Sequence, residues 1–143
     1  MAMAMAMGSS AEVSAAAHLP EDLLDSGNAR TLLRLEGFES SVAYRMKKLA
    51  DLLGEFGSAD TLEATSSKNL WNRVRDVRFF SEDQQLPVWR ISCTPMRGHE
   101  IVDAIRKESE ASAYYDWQGG LIWMQMSGDV HAETVRSALA RNR

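Results

Sequence analysis

The stretch Ala113-Tyr-Tyr-Asp-Trp-Gln-Gly-Gly-Leu-Ile-Trp-Met-Gln-Met126 decides the fold of this chain. It predicts two β-strands joined by a turn at Gln118, Gly119 and Gly120, because glycine tolerates the positive φ values that tight hairpin turns demand. The carboxylate of Asp116 lies at the rim of this otherwise apolar hairpin. Two interpretations fit the pattern: an ordinary core hairpin, or the wall of a pocket for a flat ligand.

The composition of the 143-residue chain is that of one globular domain. Hydrophobic residues make up 45%, charged residues 25%, and the net charge is -4, which is ordinary for such a domain. Because nucleic-acid binding requires a basic face, we expect no nucleic-acid partner. No apolar run reaches the roughly 20 residues that span a bilayer. The single Cys93 and the lack of a secretory signal indicate a reducing, cytoplasmic setting.

The first ten residues, Met-Ala-Met-Ala-Met-Ala-Met-Gly-Ser-Ser, differ in character from the rest of the chain. Their strict alternation and linker-like end indicate a leader added for expression, so residues 1–10 are set aside from the fold. Residues 11–143 are then expected to form a single α+β domain. We expect this domain to be a piece of a longer protein, since the last helical pattern stops at Arg143 without a capping glycine.

Hydrophobic periodicity predicts the elements that surround the hairpin. Strands are predicted at 31–36, 61–65 and 86–93, and helices at 38–56, 66–77, 99–109 and 130–141. In the helix at 38–56, the predicted core stripe is Phe38, Val42, Met46, Leu49, Leu53 and Phe56. Arg45 is expected to lie away from that stripe, and Asp129 to cap the last helix. The predicted core residues of the last two helices are Ile101, Val102, Ile105, Val130, Val135, Ala138 and Leu139. The Ala-rich segment 12–19 is ambiguous.

This order of elements predicts an α+β architecture. It corresponds to two βαβ-type units packed as an antiparallel sheet with helices on one face, and the ferredoxin-like fold is the first choice. The halves share no sequence repeat, so the duplication rests on element order alone.

Motifs for the common catalytic and cofactor sites are absent from the sequence. There is no Gly-x-Gly-x-x-Gly or Walker loop to cradle a phosphate, and no Gly-x-Ser-x-Gly nucleophile elbow. The three histidines and one cysteine lack metal-ligand spacing, so we predict no metal site. Cys93 lies in a predicted strand and is interpreted as a buried, inert thiol rather than a nucleophile.

Two arginines inside apolar strands are candidate contacts for an anion. Arg34 lies within Leu32-Leu-Arg-Leu35, and Arg90 lies between Trp89 and Ile91. Because an unpaired buried charge is very costly, each guanidinium either faces solvent or meets a partner. A guanidinium grips a carboxylate through two parallel hydrogen bonds. If the two strands are neighbours, both side chains can project from one face of the sheet.

Four segments of the chain, taken in order, carry a family resemblance. They are Leu32-Leu-Arg-Leu-Glu-Gly37, Leu70-Trp-Asn-Arg-Val-Arg-Asp76, Pro87-Val-Trp-Arg-Ile-Ser92 and Tyr115-Asp-Trp-Gln-Gly-Gly-Leu-Ile-Trp123. The ordered set resembles the C-terminal half of the FAD-binding E subunit of glycolate oxidase, within the FAD-linked oxidases related to vanillyl-alcohol oxidase. The resemblance extends over roughly residues 11–143.

The resemblance implies a ferredoxin-like cap domain that lies over a flavin held mainly by an N-terminal FAD domain. The intact protein would oxidise a 2-hydroxy acid such as glycolate to glyoxylate, together with other glycolate oxidase subunits. The family's glycine-rich FAD-binding loops have no counterpart in this sequence. We therefore expect FAD in the full-length protein but none bound to this chain alone, and no activity from the chain by itself.

Side-chain chemistry then suggests roles for individual residues. Arg34 and Arg90 are the candidates for binding the substrate anion. The candidates for the region beside the flavin are Asp116, Trp117, Gly119 and Gly120, since aromatic rings stack on planar systems and glycines allow close backbone approach. For every one of these residues, packing or solvent exposure alone is the competing interpretation.

Two other classes of function remain open. The chain can be a non-catalytic ferredoxin-like module that binds another subunit through a sheet edge, or that forms a homodimer through surface normally covered by a flavin domain. It can also be a stand-alone sensor of a small ligand with the same fold.

Overall fold

The computed structural model describes residues 1–24, 27–81, 86–127 and 132–141. The strands are β1 (Ala15–Leu19), β2 (Arg30–Arg34), β3 (Val88–Ser92), β4 (Ala111–Asp116) and β5 (Leu121–Met126). The helices in these ranges are α1 (Ala2–Gly8), α2 (Glu39–Leu53), α3 (Ala64–Arg75), α4 (Gly98–Arg106) and α5 (Ala132–Arg141). Short 3-10 turns cover Glu21–Leu23, Gly54–Phe56, Arg78–Phe80 and Trp117–Gly119.

The strands form one sheet in the order β2-β1-β4-β5-β3, and every neighbouring pair is antiparallel. The predicted α+β class, an antiparallel sheet backed by helices, is confirmed. The run β3-α4-β4-β5-α5 follows the β-α-β-β-α order of a ferredoxin-like unit. The first half of the chain departs from that order, because β1 and β2 form a hairpin that is followed by two helices.

The strand predicted at 61–65 is wrong, and with it the idea of two equivalent units. Helix α3 begins at Ala64, after Glu63 in extended conformation, and Leu62 is 46% exposed. A strand needs a partner edge for its backbone groups, and no described strand pairs with this segment. The backbone N–H of Ser67 instead donates to the carbonyl oxygen of Glu63 at 2.8 Å, as in the first turn of a helix.

The ambiguous segment before the hairpin becomes β1, an inner strand of the sheet. It pairs with β2 over five residues and with β4 at Ala17 and His18. Its alanines at 16 and 17 are buried. Alanine has little intrinsic preference for strands, so the neighbouring strands rather than local propensity decide this assignment.

The two faces of the sheet carry separate cores, because successive side chains of a strand point to opposite faces. Ala113 of β4 belongs to the cluster that contains Ile101 and Ile105 of α4 and Val135 of α5. Leu33 of β2 lies on the same face and packs with α1 and α2. We call this side, covered by α1, α2, α4 and α5, the four-helix face.

The opposite side, which we call the α3 face, is covered in part by α3 and the Arg78–Phe80 turn. Tyr114, next to Ala113 in β4, is fully buried there. Its hydroxyl donates a 2.7 Å hydrogen bond to the carbonyl oxygen of Val74, and the ring of Phe79 meets it edge to face. This single bond ties the C-terminal part of α3 to the centre of the sheet.

The sequence analysis set residues 1–10 aside from the fold, whereas the structure places Ala2–Gly8 in α1. Ala6 is fully buried and clusters with Ala11 and with Leu49 of α2. The physical reason is local, since alanine has the highest helix propensity and methionine fills irregular gaps.

The predicted orientation of α2 is wrong at three positions. Phe38 is 88% exposed and Phe56 is 46% exposed, although both were assigned to the core stripe. Arg45, assigned to solvent, is buried. It donates hydrogen bonds to the carbonyl oxygens of Ala11 at 3.2 Å and of Glu36 at 2.7 Å, among others. Buried backbone carbonyls, which periodicity does not register, supply the environment that holds this charge.

The predictions for the last two helices hold where they can be compared. Ile101, Val102 and Ile105 of α4 face the core, as do Val135 and Ala138 of α5. The predicted cap Asp129 and the predicted core residue at position 130 lie outside the described residues.

Candidate functional site at the aromatic turn

The predicted hairpin is present as β4 and β5, but its turn is built differently from the prediction. Three successive residues have left-handed backbone angles: Trp117 at φ 50°, Gln118 at φ 59° and Gly119 at φ 83°. Gly120 has an ordinary φ of -84°. The predicted need for positive φ is therefore met by Gly119 and by two non-glycine residues, where this conformation is disfavoured.

Neighbouring segments hold this turn in place through backbone hydrogen bonds. The side chain of Asp116 accepts a 2.7 Å bond from the backbone N–H of Trp117. The N–H of Met96, itself left-handed at φ 72°, donates to the carbonyl oxygen of Gln118 at 3.2 Å. The N–H of Cys93 donates to the carbonyl oxygen of Gly120 at 2.9 Å. The turn is thus fixed from both the hairpin and the β3–α4 connection.

Two glycines allow close backbone packing around the turn. A Cβ atom on Gly98, the first residue of α4, would lie 2.4 Å from the carbonyl oxygen of Gly119. A Cβ atom on Gly120 would lie 3.2 Å from the carbonyl oxygens of Cys93 and Trp117. The turn and the start of α4 therefore touch backbone to backbone. Gly98 is a residue of this region that the sequence analysis did not single out, and only the tertiary contact reveals it.

Cys93 also contacts this turn, and it is less buried than the sequence analysis predicted. Its side chain is half-buried, and Sγ lies 3.4 Å from the carbonyl oxygen of Gly119. Burial raises the pKa of the Cys93 thiol, which lowers the thiolate fraction that a nucleophile requires.

Asp116 is a half-buried carboxylate without an ion-pair partner among the described residues. Burial raises the pKa of Asp116, and the hydrogen bond from the Trp117 N–H opposes this rise. Burial also raises the pKa of Tyr114, and the charge of Asp116 adds to that effect. A carboxylate in such a position can accept a hydrogen bond or a proton from a group that approaches the α3 face.

Trp117 is the most exposed tryptophan of the chain's described part, with 73% of its surface accessible. The tryptophans at positions 71, 89 and 123 are half-buried. The turn thus exposes one large planar side chain to solvent, while hydrogen bonds fix its backbone.

The two candidate arginines lie at opposite edges of the sheet. Arg34 is in β2 and Arg90 is in β3, with three strands between them, which corresponds to about 19 Å at the usual strand spacing. The strands are therefore not neighbours, and the two side chains cannot grip one carboxylate together. Both residues do share the α3 face, since Arg34 pairs in register with Ala15 and Arg90 with Trp123.

The environments of these arginines differ. The guanidinium of Arg34 is engaged, because its Nη2 donates to Glu36 Oε1 at 2.8 Å. The guanidinium of Arg90 lies 5.9 Å from the centre of the Trp123 ring and takes part in no ion pair among the described residues. Arg90 is therefore the better placed of the two to receive an external anion.

Register shows how the candidates share the α3 face. Arg90, Trp123 and Tyr114 form one cross-strand row. Asp116 lies in the next row, opposite Leu121 on one side and Ala17 on the other. By register, Arg90 and Arg34 each lie two strands and one row from Asp116, on opposite sides of it, so the α3 face places neither arginine beside the carboxylate.

A second polar region, on the four-helix face, escaped the sequence analysis. It is an open cleft of about 650 Å³ whose lining includes His18, Asp22 and Arg106. Nη2 of Arg106 lies 3.4 Å from Asp22 Oδ2, and His18 Nδ1 lies 3.0 Å from Thr31 Oγ1. The β1–β2 register brings Thr31 to His18, and the position of α4 brings Arg106 to Asp22, so no local sequence signal identifies this group of residues.

Burial shifts the pKa values of two side chains at this cleft. Burial lowers the pKa of His18, and the positive charge of the N-terminus lowers it further. Burial raises the pKa of the neighbouring Tyr115 to about 12, although the charge of Arg106 acts in the opposite direction. Both side chains are therefore neutral at pH 7.

Comparisons with family models, with curated proteins and with solved structures gave no match to this chain. Within the described residues, no helix is long and apolar enough to cross a membrane. The same residues contain no group of three or more His, Cys, Asp or Glu side chains arranged to hold a metal ion.

Proposed function

We propose that this chain is the cap domain of an FAD-linked oxidase that acts on 2-hydroxy acids such as glycolate, in the cytoplasm. In this proposal the flavin is held mainly by a separate FAD domain, and other subunits of a glycolate oxidase complex are partners. The ordered sequence segments that resemble the glycolate oxidase E subunit support the proposal. The antiparallel sheet with a β3-α4-β4-β5-α5 unit is compatible with such a cap.

The observation that carries the proposal is a set of three side chains on the α3 face and in the aromatic turn. They are a guanidinium without an ion-pair partner in the described part of the chain (Arg90), a half-buried carboxylate (Asp116) and an exposed indole (Trp117). These are the groups that bind a carboxylate, interact with a hydroxyl proton and stack on a planar ring. All three come from the segments that carry the family resemblance.

The chain's own residues would bind and orient the substrate in this proposal. Arg90 would hold the carboxylate of the 2-hydroxy acid, and Arg34, which is paired with Glu36, would have a lesser role. Asp116, Trp117, Gly119 and Gly120 would form the wall of the site. Flavin supplies hydride-accepting chemistry when it is bound, while the protein supplies orientation and charge.

The test is glycolate-dependent dye reduction by the chain combined with an FAD-loaded domain of an FAD-linked oxidase. For Arg90→Ala we expect KM for glycolate to rise by at least about tenfold, because a charge-assisted bidentate contact is lost. Arg136→Ala is the matched control, since Arg136 is an exposed arginine on α5, paired only with Glu133 in the described structure. An unchanged KM for Arg90→Ala removes Arg90 from the site, and no activity in the combined system refutes the cap assignment.

A non-catalytic binding module is the second candidate, and the sheet edges favour it. β2 and β3 each pair with one strand only among the described strands, and Val88 of β3 is 42% exposed. Unpaired edges are templates for pairing with another chain. A chain that forms a stable homodimer in sedimentation velocity, and does not bind a flavin domain, would favour this candidate over the cap.

A further inference from the structure

Helix α1 concentrates methionine more than any other part of the chain. Four of the eight methionines, at positions 1, 3, 5 and 7, lie in or directly before this helix. Met3 is 9% exposed, whereas Met5 and Met7 are half-buried, so part of each of these two side chains is open to small solutes. Met124 and Met126, in contrast, are fully buried in the sheet. Because oxidation of a thioether requires access to it, α1 holds methionines that an oxidant in solution reaches.

Packing against the rest of the molecule, rather than local stability, keeps α1 helical. The helix has 7 residues, and isolated helices shorter than roughly 12–15 residues are marginal in water. Its N-cap residue makes no side-chain capping bond, and neither end carries a charged residue that complements the helix dipole. The fully buried Ala6 clusters with Ala11 and with Leu49 of α2. The helix therefore persists while its apolar surface stays covered.

The position of α1 connects it to the candidate site. It contacts α2, β1 and β2, and it also contacts the aromatic turn Trp117–Gly119. Departure of α1 would uncover Ala11 and Leu49, which are buried beneath it. It would also remove packing from one side of the turn.

We infer that α1 is a redox-sensitive switch, in which oxidation of Met5 and Met7 by hydrogen peroxide releases the helix from α2 and from the aromatic turn. The thioether sulfur takes one oxygen atom from the peroxide, the O–O bond breaks and water leaves. The sulfur loses two electrons and the peroxide gains them. The sulfoxide is polar, so packing it against apolar neighbours is unfavourable. Met3 becomes accessible when α1 leaves and is oxidised next.

The test needs neither a flavin nor a hydroxy acid, because the switch goes beyond the proposed function. The chain is treated with hydrogen peroxide, and mass spectrometry follows both sulfoxide formation and the amide hydrogen exchange of residues 2–8. We expect exchange in α1 to become at least about tenfold faster as Met5 and Met7 are oxidised, since exchange reports local opening. Methionine sulfoxide reductase should restore the slow exchange. Slow exchange in the β4–β5 hairpin verifies that the sheet stays folded.

Two double variants isolate the sulfur atoms. Met5→Leu with Met7→Leu keeps apolar side chains of similar volume, so its α1 should not respond to peroxide. Met5→Gln with Met7→Gln carries polar groups at both positions and should show fast exchange in α1 without peroxide. Met96→Leu is the matched control, because Met96 is 39% exposed but lies outside α1. It should respond to peroxide like the wild type.

Three outcomes would overturn the switch. The first is slow exchange in α1 after Met5 and Met7 have both become sulfoxides. The second is a peroxide response of the leucine double variant equal to that of the wild type, which would place the responsible methionine elsewhere. The third is the absence of sulfoxide at Met5 and Met7 at a peroxide concentration that oxidises Met96. Slow exchange in α1 of the glutamine double variant would contradict the dependence on apolar packing, and the switch with it.

Discussion

At the scale of single residues, Arg45 shows how a charge can be a structural element rather than a surface group. It is 8% exposed, and its guanidinium donates to the carbonyl oxygens of Ala11, Glu12, Glu36 and Ser41. It also lies 3.7 Å from the carboxylate of Glu12. One side chain therefore joins the segment before β1, the end of β2 and the start of α2. A planar fork with five donors suits this task, and a lysine does not.

We predict that Arg45→Met lowers the free energy of unfolding by about 3 kcal/mol, because it leaves several backbone carbonyls without donors. Arg45→Lys should show an intermediate loss, since it keeps the charge but not the fork. Urea unfolding followed by tryptophan fluorescence measures both variants. Arg136→Met, on the exposed surface of α5, is the control, with an expected change below about 0.5 kcal/mol. An equal effect of the two methionine variants would contradict the structural role of Arg45.

At the scale of elements, the stability of the fold depends on the contact between the aromatic turn and the first turn of α4. The sequence of neither element indicates this contact. Gly98 by itself predicts only a break before a helix, and Gly119 predicts only a hairpin turn. Their close approach is a property of how the β4–β5 hairpin sits against the β3–α4 connection.

We predict that Gly98→Ala destabilises the protein, although glycine to alanine in a helix usually gains up to about 1 kcal/mol. The new Cβ would lie 2.4 Å from the carbonyl oxygen of Gly119, so the backbone must move. The net loss should be about 2 kcal/mol or more, in the range of overpacked sites. Gly54→Ala is the matched control, because Gly54 is right-handed and its Cβ would have no neighbour within 4 Å. Thermal unfolding measures the stability of both variants. A Gly98→Ala variant as stable as the wild type would contradict the contact between Gly98 and Gly119.

At the scale of the whole molecule, two half-buried titratable groups make the stability depend on pH in opposite directions. The folded pKa of Asp116 is raised above its ordinary value of 3.8. The stability associated with Asp116 is therefore full below that value and is lost as pH rises through the folded pKa. The folded pKa of His18 is lowered from 6.5. The stability that His18 contributes is therefore fully present above pH 6.5 and is lost as pH falls through the folded pKa.

We predict that Asp116→Asn raises the thermal midpoint at pH 7 and that the gain disappears near pH 3. Asparagine keeps the oxygen that accepts from the Trp117 N–H, so the change removes the charge alone. Asp51→Asn, at an exposed position of α2, is the control and should not reproduce this pH dependence. A midpoint at pH 7 equal to or below that of the wild type would show that the Asp116 carboxylate is not destabilising.

Much of the fold and part of the site follow from the sequence by itself. The alternation of apolar residues predicted β3 and the β4–β5 hairpin, and the 3.6-residue period predicted α4 with its buried Ile101 and Ile105. Such elements are determined locally, because each has one face that must leave water. The tightness of the turn was also foreseen from its glycines, whereas its left-handed Trp117 was not.

Only the tertiary structure decided the remaining features, because they depend on neighbours distant in the chain. The alanines of β1 become a strand through pairing on both sides, whereas residues 61–63 pair with no described strand. Arg45 is buried because carbonyls from two other segments surround it. Strand order places Arg34 and Arg90 at opposite edges, with Asp116 on the central strand two strands from each of them. Local pattern fixes which face of an element avoids water, but it holds no information about which element covers that face.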